Sequence, residues 1–298
     1  MRAVVFDRYG GPEVLRVGEV PEPHAGPGQV RITVAAASIN RVDVKIRSGA
    51  LAGGAAAEGT TVTGYDAAGV VDEVGEGVTG VDVGNEVFGT GQGTHAEHAV
   101  LQAWTGKPDA MGWSEAGALG VIGETAARGL TLLGVGQGTT VFVDGASGGV
   151  GKIAVQLAVA RGARVIGSAS PGKRDVVAAL GAEPVGYGED VGTRVQALAA
   201  TVDGVFDTAG KTPVDVLVGL VASPHDVVTI ANFTAPDSGI RVTTGADGTD
   251  PSASLAEVAD LYREGKLSVQ VDSVLPFAQA GVGQQAAESG TTKVVLVP

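Results

Sequence analysis

The chain contains no cysteine. That absence excludes disulfides, thiolate metal sites and cysteine nucleophiles together. Cations are scarce as well: 20 Lys and Arg stand against 33 Asp and Glu, a formal net charge of −13. A nucleic-acid partner needs Lys and Arg concentrated on one surface, so that class is disfavoured. Long hydrophobic runs are missing too. No stretch of about 18 apolar residues occurs, and "MRAVVFDRYGG" lacks the apolar core of a signal peptide. The expectation is a cytoplasmic protein with no membrane partner.

What is abundant is glycine, with 48 of the 298 residues. This is more than double ordinary usage, so many turns and close backbone contacts are expected. The chain is 44% hydrophobic and 18% charged. Those values fit a folded protein, and the length leaves room for two domains.

Two grammars divide the chain. In the first hundred residues, "RAVVFD", "EVLRVGEV", "QVRITVAAA", "AAGVVDEVG" and "NEVFG" read as short strands separated by Gly, Pro and Asp. A small β-barrel or sandwich is expected there. From about Glu124 the strands "TTVFVDG" and "ARVIGS" alternate with the helical "GKIAVQLAVARG" and "KRDVVAALGA". Alternation of this kind indicates βαβ units and a parallel sheet. A long amphipathic helix, "SASLAEVADLYREGKL", begins near Pro251, and the chain ends in the strand-like "KVVLVP".

The densest glycine cluster is "VDGASGGVGKIAVQL", Val143 to Leu157. Gly145-x-Ser147-x-Gly149 matches the nucleophile elbow of serine hydrolases. Ala146-x-Gly148-x-x-Gly151 approaches the dinucleotide fingerprint, with alanine in the first glycine place. A hydrolase needs an acid and then a histidine after the serine. Asp207 and His225 are the available pair, but His225 precedes a strand, whereas sites in open α/β sheets gather at strand carboxyl ends. The dinucleotide reading explains more residues. Gly148 would admit a pyrophosphate, Gly151 would let helix and strand pack, and the helix amides after Ser147, including Gly149 and Val150, would face phosphate. A bare structural turn is the third reading.

Where an NAD site carries an acid at the end of its second strand, this chain reads "GSASPGKR", with no acid before Asp175. Ser168, Ser170, Lys173 and Arg174 offer hydroxyls and positive charge instead, which suits the 2′-phosphate of NADPH. Solvated surface charge is the plainer alternative.

Four stretches together carry a family resemblance: "GPEVLRVGEVPEPHAGPGQVRITVAAASINRVDVKIRSG", "GYDAAGVVDEVGEGVTGVDVGNEVFG", "VFVDGASGGVGKIAVQLAVARGARVIGSAS" and "KVVLVP". The chain resembles the medium-chain dehydrogenase/reductase superfamily in its zinc-independent, zeta-crystallin-like quinone oxidoreductase branch. The resemblance implies an α/β fold, with a Rossmann-type doubly wound parallel sheet (residues 123–249) inserted into a GroES-like β-barrel catalytic domain (residues 1–122 plus 250–298). It also implies NADPH in the cleft between the domains and, often, a homodimer.

Zinc-dependent relatives carry cysteine where this chain has Asn40, and Gly-His-Glu where it has Gly64-Tyr65-Asp66, so no metal is expected. His95 and His98 stand three apart in the strand-like "GTHAEHAVLQ" and would face opposite sides, unable to chelate together.

Position by position, the resemblance puts Asn40 and Asp43 in the substrate-side motif, with a structural turn network as the equal alternative. Lys45 stands where several members have tyrosine. Thr125 falls near the nicotinamide, and Tyr187 at the adenosine phosphate end. Thr208 and Ala209, with Ile230, Ala231 and Phe233, fall in loops along the ribose and nicotinamide, although Phe233 could equally be core. The implied activity is hydride transfer from NADPH to a quinone or an α,β-unsaturated carbonyl. Asn40, Lys45, Tyr65 and Thr125 are the candidate donors for the resulting anion, and water is the candidate proton source. The alternatives are a non-catalytic NADPH-binding sensor or structural protein and, further off, a serine hydrolase using Ser147.

Overall fold

The computed structural model describes residues 1–233, 238–245, 247–288 and 292–298. They form two compact units, Met1–Val121 with Val269–Pro298, and Ile122–Ser268.

In the first unit the chain lays down β1 (Arg2–Phe6), β2 (Arg16–Glu19), β3 (Val30–Ser38), α1 (Arg41–Arg47), β4 (Thr61–Val62), β5 (Asp66–Val74), β6 (Glu86–Gly91) and β7 (His98–Gly106). The opening of "EVLRVGEV" is not extended. Pro12–Val14 forms a 3-10 turn, because proline presets its φ and removes a donor, and β2 starts only at Arg16. β1 pairs antiparallel with both β2 and β4. β3 pairs with β5 on one side and with β7 on the other, while β6 joins β5 to β7. That closes four strands into a ring and leaves none of them with a free edge inside it. Alternation along β3 turns Val30, Ile32 and Val34 inward onto Val71, Val87 and Leu101. Gly69 is required at this closure, since a Cβ there would stand 2.1 Å from the Thr33 carbonyl oxygen.

The boundary of the first unit falls inside α2 (Trp113–Leu132). The second unit then alternates β8 (Thr140–Asp144), α3 (Gly149–Ala160), β9 (Arg164–Ala169), α4 (Arg174–Ala179), β10 (Glu183–Gly186), α5 (Val191–Gln196), β11 (Gly204–Asp207), α6 (Val214–Val218), β12 (Val227–Thr229), β13 (Arg241–Val242) and α7 (Pro251–Arg263). Its sheet has the order β10-β9-β8-β11-β12-β13, with every pairing parallel. Chain order reverses between β8 and β11, the topological switch point of a doubly wound sheet. The strands are near-continuous apolar runs because helices cover both faces. Phe142, Ile166, Val185, Val205 and Val227 share one core with Leu217 and Leu220.

The chain returns to the first unit at Val269. The sequence reading placed that return at residue 250, ahead of α7. Instead α7 buries Leu255, Val258 and Ala259 within the second unit, and Glu257 pairs with Arg161 at 2.7 Å. β14 (Ser273–Pro276), α8 (Ala280–Ala287) and β15 (Val294–Val297) complete the first unit. β15 inserts between β14 and β3.

Candidate active site

Two polar centres stand out, one in each unit. In the first unit, β3 ends at Ser38 and α1 starts after Asn40. Asp43, three residues on, reaches back so that its carboxylate accepts from the Asn40 backbone N–H at 2.7 Å, the returning half of a capping box. The other Asp43 oxygen accepts from the Gly64 N–H at 3.0 Å. One buried carboxylate thus ties the start of α1 to the turn that presents Tyr65. Gly64 has no alternative there, because its φ is +101° and a Cβ would stand 2.5 Å from the His95 nitrogen.

Burial pushes Asp43 up to about 7, aided by the charge of Asp66 and opposed by the two backbone N–H bonds and by Lys293. Tyr65 is half-buried, and burial with the nearby Asp43 charge raises its pKa, keeping the phenol protonated. On the next turn of α1, Lys45 is partly buried, which lowers its pKa, and Arg41 acts in the same direction.

Asn40 is not a spare donor, contrary to the sequence expectation. Its Oδ1 accepts from Lys293 Nζ at 2.9 Å, and its Nδ2 donates to Asp66 Oδ1 at 3.0 Å. The same Asp66 oxygen accepts from Ser38 Oγ at 2.8 Å, and Oδ2 accepts from the Val121 N–H at 2.9 Å. The amide is held from both ends. Lys293 also donates to Ser38 Oγ at 2.7 Å and is only 7% exposed.

His95 lies just before β7, in the loop rather than in the strand. Its Nε2 donates to the Ser38 carbonyl oxygen at 3.0 Å and its Nδ1 accepts from Thr63 Oγ1 at 2.8 Å. Burial lowers its pKa and keeps it neutral. His98 instead pairs with Asp72 at 2.8 Å. This donor set does not fit zinc. There is no thiol, both His95 nitrogens are committed, and both Asp66 oxygens are filled by protein donors. Among the described residues, the buried cation in this cluster is Lys293.

In the second unit, the polar centre sits at the carboxyl ends of the strands. β8 ends at Asp144 and turns through Gly145, whose φ is +85°. Gly148 caps α3 without any side-chain bond to the helix, leaving first-turn amides for an outside acceptor. Gly151 permits the close crossing, since a Cβ there would meet the Gly145 carbonyl oxygen at 2.1 Å. The turn thus packs the start of α3 closely on the end of β8 with its first amides uncapped by side chains, which fits a dinucleotide pyrophosphate.

Ser168 does not join that site. It is 1% exposed, donates its hydroxyl to Asp144 and accepts from the Gly145 N–H at 2.8 Å. The strand-end serine serves one oxygen of the buried Asp144 carboxylate and is turned away from the 2′-phosphate place expected for it. Ser170, Lys173 and Arg174 do lie beyond β9 at the open end, with Arg174 packed against Gly186 and Tyr187 following β10. Ala146 is buried and donates its N–H to the Ser168 carbonyl oxygen at 3.0 Å. Thr208 Oγ1 donates to the Asp144 carbonyl oxygen at 2.7 Å, so Thr208 and Ala209 stand beside the glycine turn. Ile230 and Ala231 follow β12, and Phe233 is 45% exposed rather than core. Thr125 lies on α2 in the second unit, 8% exposed, beside the buried Glu124–Arg128 pair at 2.7 Å.

The hydrolase alternative fails on geometry. Asp207 accepts from the Ala209 and Gly210 N–H groups and from Thr229 Oγ1, so its carboxylate is spent. His225 precedes β12, and with β8, β11 and β12 parallel it lies at the opposite end of the sheet from Ser147.

A doubly wound sheet with a glycine-rich turn at its switch point, in one chain with a GroES-like barrel, defines a nucleotide-dependent oxidoreductase architecture. Family models agree: residues 26–131 match the alcohol dehydrogenase GroES-like domain, and residues 149–259 match the domain described as zinc-binding dehydrogenase. The chain is 30% identical to the NADPH-dependent alkenal/one oxidoreductase of Arabidopsis thaliana chloroplasts, over 100% of this chain and 80% of that one. It is also 30% identical to a quinone oxidoreductase of Pseudomonas aeruginosa, over 100% and 99% of the two chains. A mycobacterial structure complexed with NADPH superimposes over the whole of both chains at a TM-score of 0.85 and 28% identity. The chain belongs to the medium-chain dehydrogenase/reductase superfamily, in its quinone oxidoreductase branch.

The sequence reading missed Ser38, Lys293 and Asp144. Lys293 had one visible signal, a lone charge opening the apolar run "KVVLV".

Proposed function

We propose that this protein is an NADPH-dependent, metal-free reductase of quinones or α,β-unsaturated carbonyls. The observation that carries the reading is the strand-end constellation of the second unit. A glycine-rich turn with uncapped helix amides lies at the switch point, and the end of β9 offers Ser170, Lys173 and Arg174 without a carboxylate. An acid there would bond a ribose 2′-hydroxyl and repel a 2′-phosphate, so its replacement by cations favours NADPH.

Bound NADPH would supply a hydride to the electron-poor carbon or quinone ring. The chain's own part is to hold and orient, and to stabilise the enolate or hydroquinone anion with preorganised donors. Ala146 to Gly151 would hold the pyrophosphate, and Lys173, Arg174 and Tyr187 the adenosine end. Thr208, Ala209, Ile230 and Ala231 would line the sugar. Tyr65 and Lys45 are assigned as donors to the developing anion, because both are partly exposed and Tyr65 stays protonated. Asn40 and Asp43 act through them as positioning residues, since their polar atoms are bound to Lys293, Asp66 and Gly64. Thr125 is assigned to the nicotinamide end. The final proton is assigned to water.

We assign the protein to the cytoplasm as a homodimer; among the described residues no helix is long and apolar enough to cross a membrane. The test is NADPH oxidation across quinones, enones, enals and enoyl thioesters. Turnover with at least one of these classes is expected. Tight NADPH binding with no turnover on any of them would instead favour a non-catalytic NADPH sensor.

A further inference from the structure

Tyr187 and Lys211 meet across two intervening strands. Tyr187 directly follows β10 and Lys211 stands four residues beyond β11, while β9 and β8 lie between those strands in the sheet. Three strand spacings of about 4.8 Å separate β10 from β11 by roughly 14 Å. Even so, Lys211 Nζ lies 5.9 Å from the centroid of the Tyr187 ring, within cation–π range. The pair therefore passes over the carboxyl ends of β8 and β9, where the glycine-rich turn lies.

Both feet of this bridge are braced. Asp207 accepts the Ala209 and Gly210 N–H groups at 3.0 and 2.7 Å, setting the turn that projects Lys211. On the other side, Arg194 Nη1 donates to the Gly186 carbonyl oxygen at 2.9 Å, steadying the backbone before Tyr187. The two side chains are exposed, Tyr187 by 51%. An exposed cation–π contact of this length is weak, so the ammonium is free to exchange the ring face for an anion. The nearby Asp207 carboxylate is spent on Thr229 and two backbone amides, and Asp144 is only 1% exposed, with Oδ1 bonded to Ser168 and Oδ2 buried out of reach of a surface ammonium. They are not competitors for Lys211.

We propose that Tyr187 and Lys211 form a clasp across the dinucleotide site, in which Lys211 pairs with the pyrophosphate and Tyr187 covers the adenosine side. The proposal rests on the dinucleotide reading above and adds a residue and a role to it. Arg174 and Lys173 approach from the β9 side and address the 2′-phosphate. Lys211 approaches from the β11 side, over β8, and addresses the charge common to every dinucleotide.

The experiment is equilibrium binding of NADPH, NADH and ADP-ribose to the wild type and to the Lys211→Met, Tyr187→Ala and Arg174→Ala variants. Lys211→Met should weaken all three ligands by a similar factor, about three- to tenfold for an exposed charge-assisted contact. Tyr187→Ala should also weaken all three and speed their dissociation, whereas Arg174→Ala should weaken NADPH alone. Lys211→Met that matches the wild type, or that weakens only NADPH, overturns the clasp while leaving the dinucleotide site standing. A wild type that binds none of the three ligands overturns the dinucleotide reading, and the clasp with it.

Discussion

Asp43→Asn isolates the energetics of the first unit's buried cluster. In the wild type, burial raises the carboxyl from 3.8 to about 7. Because the folded pKa lies above the unfolded one, the folded state holds an extra proton between those values. The stability this contributes is complete below pH 3.8 and is lost as pH rises towards 7. At 1.36 kcal/mol per pKa unit, the whole shift corresponds to roughly 4 kcal/mol, of which roughly 2 to 3 kcal/mol falls between pH 5 and 8. Asparagine has no proton to lose. It keeps one acceptor oxygen and gives up one of the two backbone bonds, as a protonated aspartate also does. Parity is expected only below pH 3.8, so urea melts of both proteins at pH 5, 6, 7 and 8 should start with the variant ahead by roughly 1 to 2 kcal/mol. The difference should then move in the variant's favour by roughly 2 to 3 kcal/mol as pH rises. A stability difference that stays constant across this range would refute the assignment of a raised, titrating carboxyl. Activity should fall in the variant above about pH 7, where the wild-type carboxylate holds both backbone N–H groups and the amide holds one.

Three further outcomes follow from the sites. Gly151→Ala places a methyl group 2.1 Å from the Gly145 carbonyl oxygen. It should cost about 1 to 3 kcal/mol of stability and weaken NADPH, read by thermal melts and fluorescence titration. Lys173→Ala and Arg174→Ala should each weaken NADPH about tenfold while leaving NADH almost unchanged; equal losses for both cofactors would remove these residues from the 2′-phosphate. Elemental analysis should find no stoichiometric zinc, and activity should survive chelator; zinc whose removal abolishes turnover would contradict the reading of Asn40 and Asp66.

Much of the architecture was legible because the relevant physics is local. Parallel strands buried on both faces read as apolar runs, and "VDGASGGVG" shows strand, turn and helix within a dozen residues. For Asn40 and Asp43 the turn-network alternative was likewise a short-range reading, which the structure specifies as a capping box. Partners brought together by the fold were harder. Lys293 bonds Ser38 across 255 positions of sequence, so nothing near Asn40 announces that its amide is already held. Ser168 looked like a phosphate ligand because its hydroxyl ends a strand. What claims it is the carboxylate of Asp144, 24 residues earlier and on the neighbouring strand. The amphipathic pattern of α7 marks a buried face but carries no information about which unit buries it. His95 reads as part of a strand by its neighbours, whereas the loop is held by a buried imidazole bonded at both nitrogens.

The central claim is that a hydride passes from this protein's NADPH to an electron-poor carbon. Its most direct test uses NADPH deuterated at the transferring position of C4, with a simple enone as acceptor and mass and NMR analysis of the saturated product. The account predicts one deuterium per molecule, at the carbon β to the carbonyl, with NADPH consumed in equal amount. Product without the label, or no NADPH consumption with any quinone, enone, enal or enoyl thioester despite tight binding, would contradict it.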